Sequence, residues 1–548
     1  MERYIVNKQH NTEHHSEQDN PVQDNDHKGQ GFSRRSFFQL AGTGGLAMAT
    51  GCTGNPTGGE GWIPEQYNNI GNFPVQVRGR IPIDPRNLTI MRDDQKCILC
   101  GQCAEVCDRY QAVMGHYELP LIDFVPCIGC GQCTLWCPTS SITERDDTQR
   151  LFEALKDPDV HVVVQTAPST RIGLGEEFGL PAGTNVEGKQ VAALRELGVD
   201  TVLDTNFAAD LTVMEEATEL VQRLKTEGAV LPMFTSCCPS WVLYCEAFYP
   251  ELLPNLSTAR SPMGMLGPMI KTYYAEKRGI DPEKIVSVAV MPCTAKKFEA
   301  ARPEMNNAGR KQGNPEMRDT NIVITTRELA RMIKQEKIDF PALPDGSYDD
   351  LLSEYSGGGA IFGATGGVME AAVRTAYFFV TKENPPPSVV NFKPVRGLEG
   401  VKETVLEVPE FGELRIAVIA GTANAKRFFE EAARDADGAV VHHADGSVKR
   451  RYQDFHFIEV MACLGGCLSG GGQPKSALPP SDVVRNPRTR AIYTIDEHAA
   501  VRMSHMNPQI KVLYDDFLGE PCGETAHNLL HGYPEDYRDR SMHLTAKR

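Results

Sequence analysis

The chain has 548 residues, of which 41% are hydrophobic and 23% are charged, and these ordinary proportions exclude a mostly disordered protein. Acidic residues outnumber basic ones by 72 to 56, and the net charge of −16 argues against a nucleic-acid-binding surface. The length suffices for about three or four domains. The 16 cysteines are too few for a disulfide scaffold of this size, and most of them fall into tight groups.

Residues 1–55 are predicted to be an unstructured polar stretch followed by a signal for export by the twin-arginine translocase. The pair Arg34 and Arg35 precedes an apolar run at 39–51 that is too short and too rich in glycine to span a membrane. Cys52 ends this run, and its neighbours are compatible both with a lipid anchor on Cys52 and with simple removal of the signal. We therefore expect the protein in the periplasm or on the outer face of the cytoplasmic membrane.

Two cysteine runs follow a linker predicted at 56–84. In each run the gaps between successive cysteines are two, two and three residues. In two-cluster ferredoxins, three cysteines of such a run bind one 4Fe–4S cluster and the fourth binds the other. Zinc is less favoured, because neither run contains a histidine. Residues 85–147 are therefore predicted to be an α+β ferredoxin-like domain with two cluster sites, formed by Cys97, Cys100, Cys103 and Cys137 and by Cys127, Cys130, Cys133 and Cys107.

Residues 148–475 alternate between strand-like apolar runs and helical periods. This alternation predicts an α/β catalytic core with parallel sheets covered by helices. The polar region 476–548 is predicted to be a small helical tail that wraps the core. The clearest predicted strands are 160–166, 285–291 and 414–420, and the clearest predicted helices are 211–225 and 326–336.

Three segments of this core contain most of the remaining cysteines. They read FTSCCPSW at 234–241, VMPCTAKKFE at 290–299 and EVMACLGGCLSGGGQP at 459–474. Cys463 and Cys467 are four residues apart, and on a helix they would present both sulfurs on one face. Cys238 and Cys293 come from distant segments, so the four thiolates together could enclose one more cubane cluster.

The three segments, behind a two-cluster ferredoxin pattern, resemble the signature segments of FeFe-hydrogenases. The resemblance implies two lobes with an H-cluster between them, in which a 4Fe–4S cubane is joined to a two-iron unit with CO, cyanide and a bridging dithiolate. It also implies that Cys238, Cys293 and Cys463 are terminal ligands and that Cys467 bridges to the two-iron unit. The tail is similar to the small subunit of periplasmic two-chain members, here fused to the large subunit.

The resemblance further implies which residues surround the two-iron unit. Lys296 and Ser169 would donate hydrogen bonds to its cyanides. Met291, Phe362 and Met461 would form an apolar wall that limits water. Met263 is a departure, because some members have a glutamine there and methionine cannot donate a hydrogen bond.

A proton relay is also implied by the resemblance. Cys237 is adjacent to a predicted ligand without being one, so its thiol could pass a proton between the open iron and the protein. The relay would continue through Glu216, Ser257 and Glu219 to a Lys or Arg at the surface. Glu216 and Glu219 are three residues apart and share one face of a predicted helix.

Two cysteines and a pair of histidines lie outside these sites. Cys245 and Cys522 are expected to be core or surface thiols, since neither has a partner at ligand spacing. His527 and His531 could suggest a metal, but a packed surface helix is favoured because no carboxylate or third histidine is evident nearby in the sequence.

The sequence therefore predicts an exported iron–sulfur hydrogenase that catalyses H2 ⇌ 2 H⁺ + 2 e⁻, with uptake of H2 favoured by its location. The expected partners are H2 and protons, a c-type cytochrome or a membrane quinone-linked subunit, H-cluster maturation proteins and the twin-arginine translocase. A non-catalytic iron–sulfur assembly factor is disfavoured by Cys237, Lys296 and the glycines at 470–472. A hydrogen sensor is disfavoured because nothing after residue 475 resembles a sensory module.

Overall fold

The computed structural model describes residues 79–113, 127–476 and 480–532, which all belong to one compact unit. The predicted export signal, Cys52 and nearly all of the predicted linker lie outside these residues. Within the described ranges, the helices are all too short or too polar to cross a membrane.

The cysteine runs lie between two short antiparallel strands, β1 (Ile90–Arg92) and β2 (Ile142–Glu144), in which Met91 pairs with Thr143. Each run contains a short helix, α1 (Gln102–Glu105) or α2 (Gln132–Trp136). Each helix is preceded by a glycine with positive φ, Gly101 at +75° and Gly131 at +66°. A residue with a side chain adopts this conformation only at a cost, so glycine suits both positions.

The core contains two four-stranded sheets. Their strands are β3 (His161–Thr166), β4 (Thr201–Asp204), β5 (Met233–Phe234), β6 (Ile285–Met291), β7 (Ile322–Thr325), β8 (Val401–Val408), β9 (Gly412–Ala420) and β10 (Phe457–Met461). The first sheet has the order β4-β3-β6-β7 and is entirely parallel. The second sheet has the order β5-β10-β9-β8, and only the pairing of β8 with β9 is antiparallel. The α/β prediction is confirmed, apart from the hairpin that adds β8 to the sheet edge.

Both sheets are buried on both faces, as parallel sheets usually are. Along β3, Val162 and Val164 pack in one apolar cluster and Val163 packs in another on the opposite side. Along β9, Ala417 and Val418 likewise enter different clusters. Each fully buried valine stabilises the fold by about 1.5–3 kcal/mol.

Helices cover these sheets, and the longest of them begins under a local cap. The Asp204 side chain accepts a hydrogen bond from the backbone N–H of Asn206 and starts this helix earlier than the predicted residue 211. The core helices are α3 (Thr148–Lys156), α4 (Thr170–Gly173), α5 (Glu187–Glu196), α6 (Thr205–Lys225), α7 (Pro239–Phe248), α8 (Pro262–Met269), α9 (Ala275–Arg278), α10 (Ala295–Ala301), α11 (Asn307–Gln312), α12 (Thr326–Gln335), α13 (Gly357–Ile361), α14 (Gly367–Thr381), α15 (Pro387–Val390) and α16 (Thr422–Glu430).

The tail forms three further α-helices in its described part, α17 (Asp482–His498), α18 (Pro508–Leu513) and α19 (Glu524–Leu530). Its apolar side chains, such as Leu513 and Leu530, join the same cluster as the side chains of α6 and α8. The end of the tail also forms a backbone hydrogen bond with the core, because the Arg260 N–H donates to the carbonyl of Leu530 at 2.9 Å. The tail is therefore part of the core packing rather than an appended domain.

Candidate functional site

Two pockets beside β1 and β2 are each lined by four cysteine thiols. Within the described ranges, every cysteine is free of disulfide bonds. Backbone N–H groups of Ile81 and Ile142 donate to the sulfurs of Cys103 and Cys137, over 3.4 and 3.5 Å. Four converging thiols with N–H donors aimed at them are suited to a 4Fe–4S cluster. The first pocket is lined by Cys97, Cys100, Cys103 and Cys137, and the second by Cys107, Cys127, Cys130 and Cys133, so the structure brings together the two sets expected from the spacing.

The electrostatics of the second pocket also fit a metal cluster. Burial raises the pKa of the Cys130 and Cys133 thiols well above the usual range, and the neighbouring cysteines raise it further. Four thiolates so close together need a compensating positive centre, and a thiol that coordinates a metal is deprotonated outright. The cluster ligands remain a prediction, but the donor set present is the right one.

A third group of cysteines lies where strands of both sheets end. Cys238 directly precedes α7 and follows β5, Cys293 follows β6, and Cys463 and Cys467 follow β10. In open α/β sheets, ligands bind outside the carboxyl ends of the parallel strands. Burial raises the pKa of Cys293 to about 12, and the nearby Cys238 adds to this rise. The thiols of Cys293 and Cys463 are buried and the other two are half-buried, and the four form a third set that could hold a cluster.

Cys463 and Cys467 do not share a helical face, and that prediction was wrong. Cys463 lies in a bend, and Cys467 lies in a single 3₁₀ turn, Gly466–Ser469. Gly465 and Gly466 between them have φ of +87° and +80°, which a continuing α-helix cannot contain. A Cβ on Gly466 would lie 2.6 Å from the backbone nitrogen of Thr365, so this tight passage admits only glycine.

The second and third thiol sets are in direct contact through Gln132. Its Nε2 donates to Cys463 Sγ at 3.2 Å and to the Ser469 carbonyl at 2.7 Å. The backbones also approach closely, since a Cβ on Gly471 would lie 2.3 Å from the carbonyl oxygen of Cys130. An electron could therefore pass between clusters in these two pockets over a short, well-packed distance.

The predicted pocket residues converge on this third set. Ser169 is fully buried, and its hydroxyl has no hydrogen-bond partner among the described residues. Lys296 Nζ lies 2.7 Å from Glu299 Oε2 and donates to the Cys237 carbonyl at 3.3 Å. Burial alone would lower the pKa of Lys296, but the Glu299 carboxylate raises it, so the ammonium stays charged. A buried hydroxyl without an acceptor is costly, and a group with an anionic acceptor would satisfy the Ser169 hydroxyl.

The wall expected around the pocket is buried, with Met291, Phe362 and Met461 each 2–5% exposed. Phe362 and Met461 pack in one apolar cluster that also contains Cys237. Met263, the departure noted in the sequence, is buried in a second cluster beside Met291. These side chains form an apolar wall beside the Ser169 hydroxyl and the Lys296–Glu299 pair.

Among the predicted relay residues, Cys237 lies near Glu216, and Glu216 near Glu219, since burial and then the neighbouring carboxyl raise the pKa of Cys237 and of Glu216. Burial raises the pKa of Glu216 well above its usual range, with Glu219 adding to the rise, and Glu216 Oε2 has no partner among the described residues. Ser257 Oγ donates to Glu219 Oε2 at 2.8 Å. Arg223, which is partly exposed, donates to Glu219 Oε1 at 2.6 Å. Glu216 is thus neutral and has one unpartnered oxygen, whereas Glu219 is fully hydrogen-bonded.

Glu299 and Gln132 were missed at the sequence level. Glu299 positions Lys296 and is itself held by Ser261 Oγ at 2.5 Å. Its spacing of three residues from Lys296 on a helix was a signal that could have identified it. Gln132 had no such signal, because its partner Cys463 lies 331 residues away.

Residues 160–471 match the family described as iron only hydrogenase large subunit, C-terminal domain, and residues 482–533 match iron hydrogenase small subunit. The chain belongs to the iron-only hydrogenase family. It is 42% identical to iron hydrogenase 1 of Clostridium pasteurianum over 466 residues, which are 82% of this chain and 76% of that protein. It is 44% identical to the periplasmic Fe hydrogenase large subunit of Nitratidesulfovibrio vulgaris over 386 residues, 64% of this chain and 86% of that subunit.

A solved structure of a variant FeFe-hydrogenase from Chlamydomonas reinhardtii superposes with a TM-score of 0.59 and 38% identity, covering 71% of this chain and 98% of that one. A cytosolic iron–sulfur assembly factor of Danio rerio is more distant, at 30% identity over 376 residues, 68% of this chain and 85% of that one. This hydrogenase is therefore an iron–sulfur oxidoreductase whose family implies an H-cluster. The large-subunit match begins at residue 160, so the clusters of the earlier cysteine runs remain a prediction.

Proposed function

We propose that this hydrogenase oxidises H2 and that Cys238, Cys293, Cys463 and Cys467 would hold its H-cluster, with Cys467 also serving as the protein ligand of the two-iron unit. The observation that carries this proposal is the set of four thiols, two buried and two half-buried, beside an unpartnered hydroxyl and a charged, buried ammonium. When bound, the H-cluster supplies the redox-active irons at which H2 and protons interconvert.

The chain's own residues hold and shield this group. Lys296 and Ser169 donate hydrogen bonds to its cyanides, which is the role that a buried ammonium and a free hydroxyl can fill. Glu299 keeps Lys296 charged and oriented. Met291, Met461 and Phe362 exclude water from the reacting atoms, which strengthens every electrostatic interaction inside the pocket.

Protons released in the pocket leave through Cys237, Glu216, Ser257 and Glu219. Burial, with Glu216 nearby, raises the pKa of Cys237 well above its usual range, so Cys237 is a thiol that can accept a proton and release its own. Glu216 is protonated for the same reason, and a neutral carboxyl can accept a proton on one oxygen while it releases one from the other. The Ser257 hydroxyl then connects to Glu219, where Arg223 stabilises the carboxylate near the surface.

Two 4Fe–4S clusters in the ferredoxin-type pockets would carry the electrons. Cys127, Cys130, Cys133 and Cys107 would hold the cluster next to the H-cluster pocket, since Gln132 connects this pocket to Cys463. Cys97, Cys100, Cys103 and Cys137 would hold the cluster nearer the surface, since Ile98 in that pocket is 62% exposed. The electron acceptor, a c-type cytochrome or a membrane quinone-linked subunit, docks beside this pocket.

The site of action is outside the cytoplasm, with export by the twin-arginine translocase after H-cluster maturation proteins have loaded the folded chain. The paired Arg34 and Arg35 before an apolar run support this part of the proposal, as does the similarity to a subunit that is named periplasmic. Cys52 is available for lipid attachment if cleavage occurs before it.

The test is to purify the matured enzyme, to record infrared bands of bound CO and cyanide, and to compare the rates of H2 oxidation and evolution under matched driving force. We expect both sets of bands and a bias towards oxidation. Absence of the bands after full maturation would overturn the H-cluster assignment, whereas a strong bias towards evolution would overturn only the uptake role. Replacing Arg34 and Arg35 by lysine should retain the enzyme in the cytoplasm, and unchanged export would exclude the twin-arginine route.

A further inference from the structure

Thiol, imidazole and carboxylate side chains meet where the tail packs on α6. Glu215 comes from α6, Cys522 precedes α19, and His531 directly follows α19. Their ligand atoms all lie within 4.8 Å of one another, with Glu215 and His531 buried and Cys522 half-buried. The expectation that no carboxylate lies near His531 was therefore wrong, because Glu215 is 316 residues away in sequence and 2.9 Å away in space.

We propose that Glu215, Cys522 and His531 bind a divalent cation of the zinc type. Carboxylate oxygen, thiolate sulfur and imidazole nitrogen are the donors that Zn²⁺ uses in proteins. Two anionic ligands and one neutral ligand balance the charge of a divalent ion, so the occupied site would be electrically neutral in a buried place.

The protonation state of the free site is consistent with this assignment. Burial raises the pKa of Cys522, and the adjacent Glu215 carboxylate raises it further. In the free site, Cys522 is therefore a thiol, and its Sγ–H donates to the Glu215 carbonyl at 3.5 Å. Binding of the cation releases this one proton to solvent, and the resulting thiolate then faces positive charge instead of a lone carboxylate.

Groups around the three donors would hold them in a binding geometry. His531 Nδ1 lies 2.8 Å from Thr258 Oγ1, so His531 can carry its proton on Nδ1, donate it to Thr258 and offer Nε2 to the cation. A partner on the second nitrogen is usual for metal-bound histidines. The Tyr514 hydroxyl donates to Glu215 Oε1, which leaves Oε2 directed at His531 and Cys522.

The cation would fasten the small-subunit-like tail to the helix that contains Glu216 and Glu219. Cys522 and His531 belong to the tail, whereas Glu215 belongs to α6. The Thr258 backbone N–H also donates to Glu219 Oε2 at 3.0 Å. Thr258 therefore contacts both His531 of the proposed metal site and Glu219 of the proposed relay. Its expected role is structural, and the proposal does not depend on the direction of H2 turnover.

The test uses the full chain, grown with added zinc sulfate, dialysed against Zn²⁺ and desalted. Zinc content is measured by elemental analysis, and its ligands by X-ray absorption at the zinc edge, where iron does not interfere. We expect about one zinc per chain, with one sulfur at about 2.3 Å and nitrogen or oxygen ligands at about 2.0–2.2 Å. Cys522→Ser and His531→Gln should each lose this zinc.

The matched control is His505→Gln. His505 is another histidine of the tail, and it stacks on Phe378 rather than joining Glu215, Cys522 and His531. This variant should retain the zinc. If the buried His531→Gln variant does not fold, Cys522→Ser still tests the proposal, because Cys522 is half-buried and serine is nearly isosteric. Less than about a tenth of a zinc per chain in the wild type would overturn the proposal and leave a plain hydrogen-bonded network. Two other results would also overturn the proposal: zinc retained in Cys522→Ser, or an absorption spectrum with several sulfur ligands on the zinc. Either result would assign the zinc to the iron–sulfur cluster pockets.

Discussion

The two ferredoxin-type pockets and the catalytic pocket all offer four cysteine thiols, but they are built in different ways. In the pocket of Cys97, three thiols come from one stretch of seven residues and only Cys137 comes from elsewhere. In the catalytic pocket, the thiols come from three segments that follow β5, β6 and β10, strands of two different sheets. The first kind of pocket depends on local chain geometry, whereas the second depends on the correct folding of both sheets. A cluster site can thus be local when it only carries electrons, while the catalytic site also has to enclose its cofactor.

The largest expected effect is the loss of H2 turnover when a cysteine of the catalytic pocket is replaced, and it shows whether the two kinds of pocket assemble independently. Cys467→Ser should abolish H2 turnover and the infrared bands of CO and cyanide, because in our proposal Cys467 is the only protein ligand of the two-iron unit. The paramagnetic signals of the ferredoxin-type clusters should persist. The matched variant, Cys103→Ser, should lose one ferredoxin-type cluster but keep the infrared bands. If both variants lost all clusters together, the pockets would not be independent.

Cys237→Ala should lower H2 turnover by about 10²–10⁴-fold, since it removes the first proton acceptor of the relay. The infrared bands should remain, because Cys237 is not a ligand in our assignment. Cys245, a buried thiol at the far end of α7, provides the control. Cys245→Ala should leave turnover per loaded enzyme unchanged, and full activity in Cys237→Ala would contradict the relay.

Glu216→Gln should also slow turnover, by about 10²-fold or more, while making the protein more stable in alkaline solution. The pKa of Glu216 is raised in the folded state, so the unfolded chain binds fewer protons than the folded one above about pH 4.5. The free energy of unfolding of the wild type therefore falls as the pH rises above about 4.5. Glutamine at position 216 does not ionise, so the variant does not lose this stability. Denaturant unfolding at pH 5.5 and pH 8 measures the difference, which should grow with pH. A difference that shrank with pH would mean that Glu216 is ionised in the fold.

The smallest expected effect concerns the contact between the ferredoxin-like region and the core. Burial alone would raise the pKa of Glu144, but Arg327 and Arg331 lower it to about 2. The stabilisation is therefore fully present above about pH 4.5 and is lost only as the pH falls towards 2. Glu144→Gln should cost up to about 3 kcal/mol in the free energy of unfolding, equally at pH 5.5 and pH 8. A cost that changed between these two values would show that other groups dominate this interface.

Much of the fold and of the site could be predicted because the responsible patterns are local. Strand 285–291 was located to the residue, and the helix predicted at 326–336 ends one residue earlier, at Gln335. The sequence pattern predicted parallel sheets and did not predict that β8 pairs with β9 in an antiparallel hairpin. The strand at 414–420 was predicted, but its hairpin partner at the edge of the sheet was not. The geometry of Cys463 and Cys467 was mispredicted, since a four-residue spacing fits a helix and the two glycines between them prevent one.

By itself, the sequence determined the cysteine groups and the alternation of strands and helices. These follow from spacing over a few residues, which the covalent chain imposes in any fold. The residues of the relay were implied only by the family resemblance. Only the tertiary structure decided that Gln132 bonds to Cys463, that Glu299 holds Lys296 in the pocket and that His531 faces Glu215. Contacts such as those of Gln132 and His531 join segments hundreds of residues apart, and they are set by the burial of apolar surface and the pairing of buried polar groups, which no local pattern records.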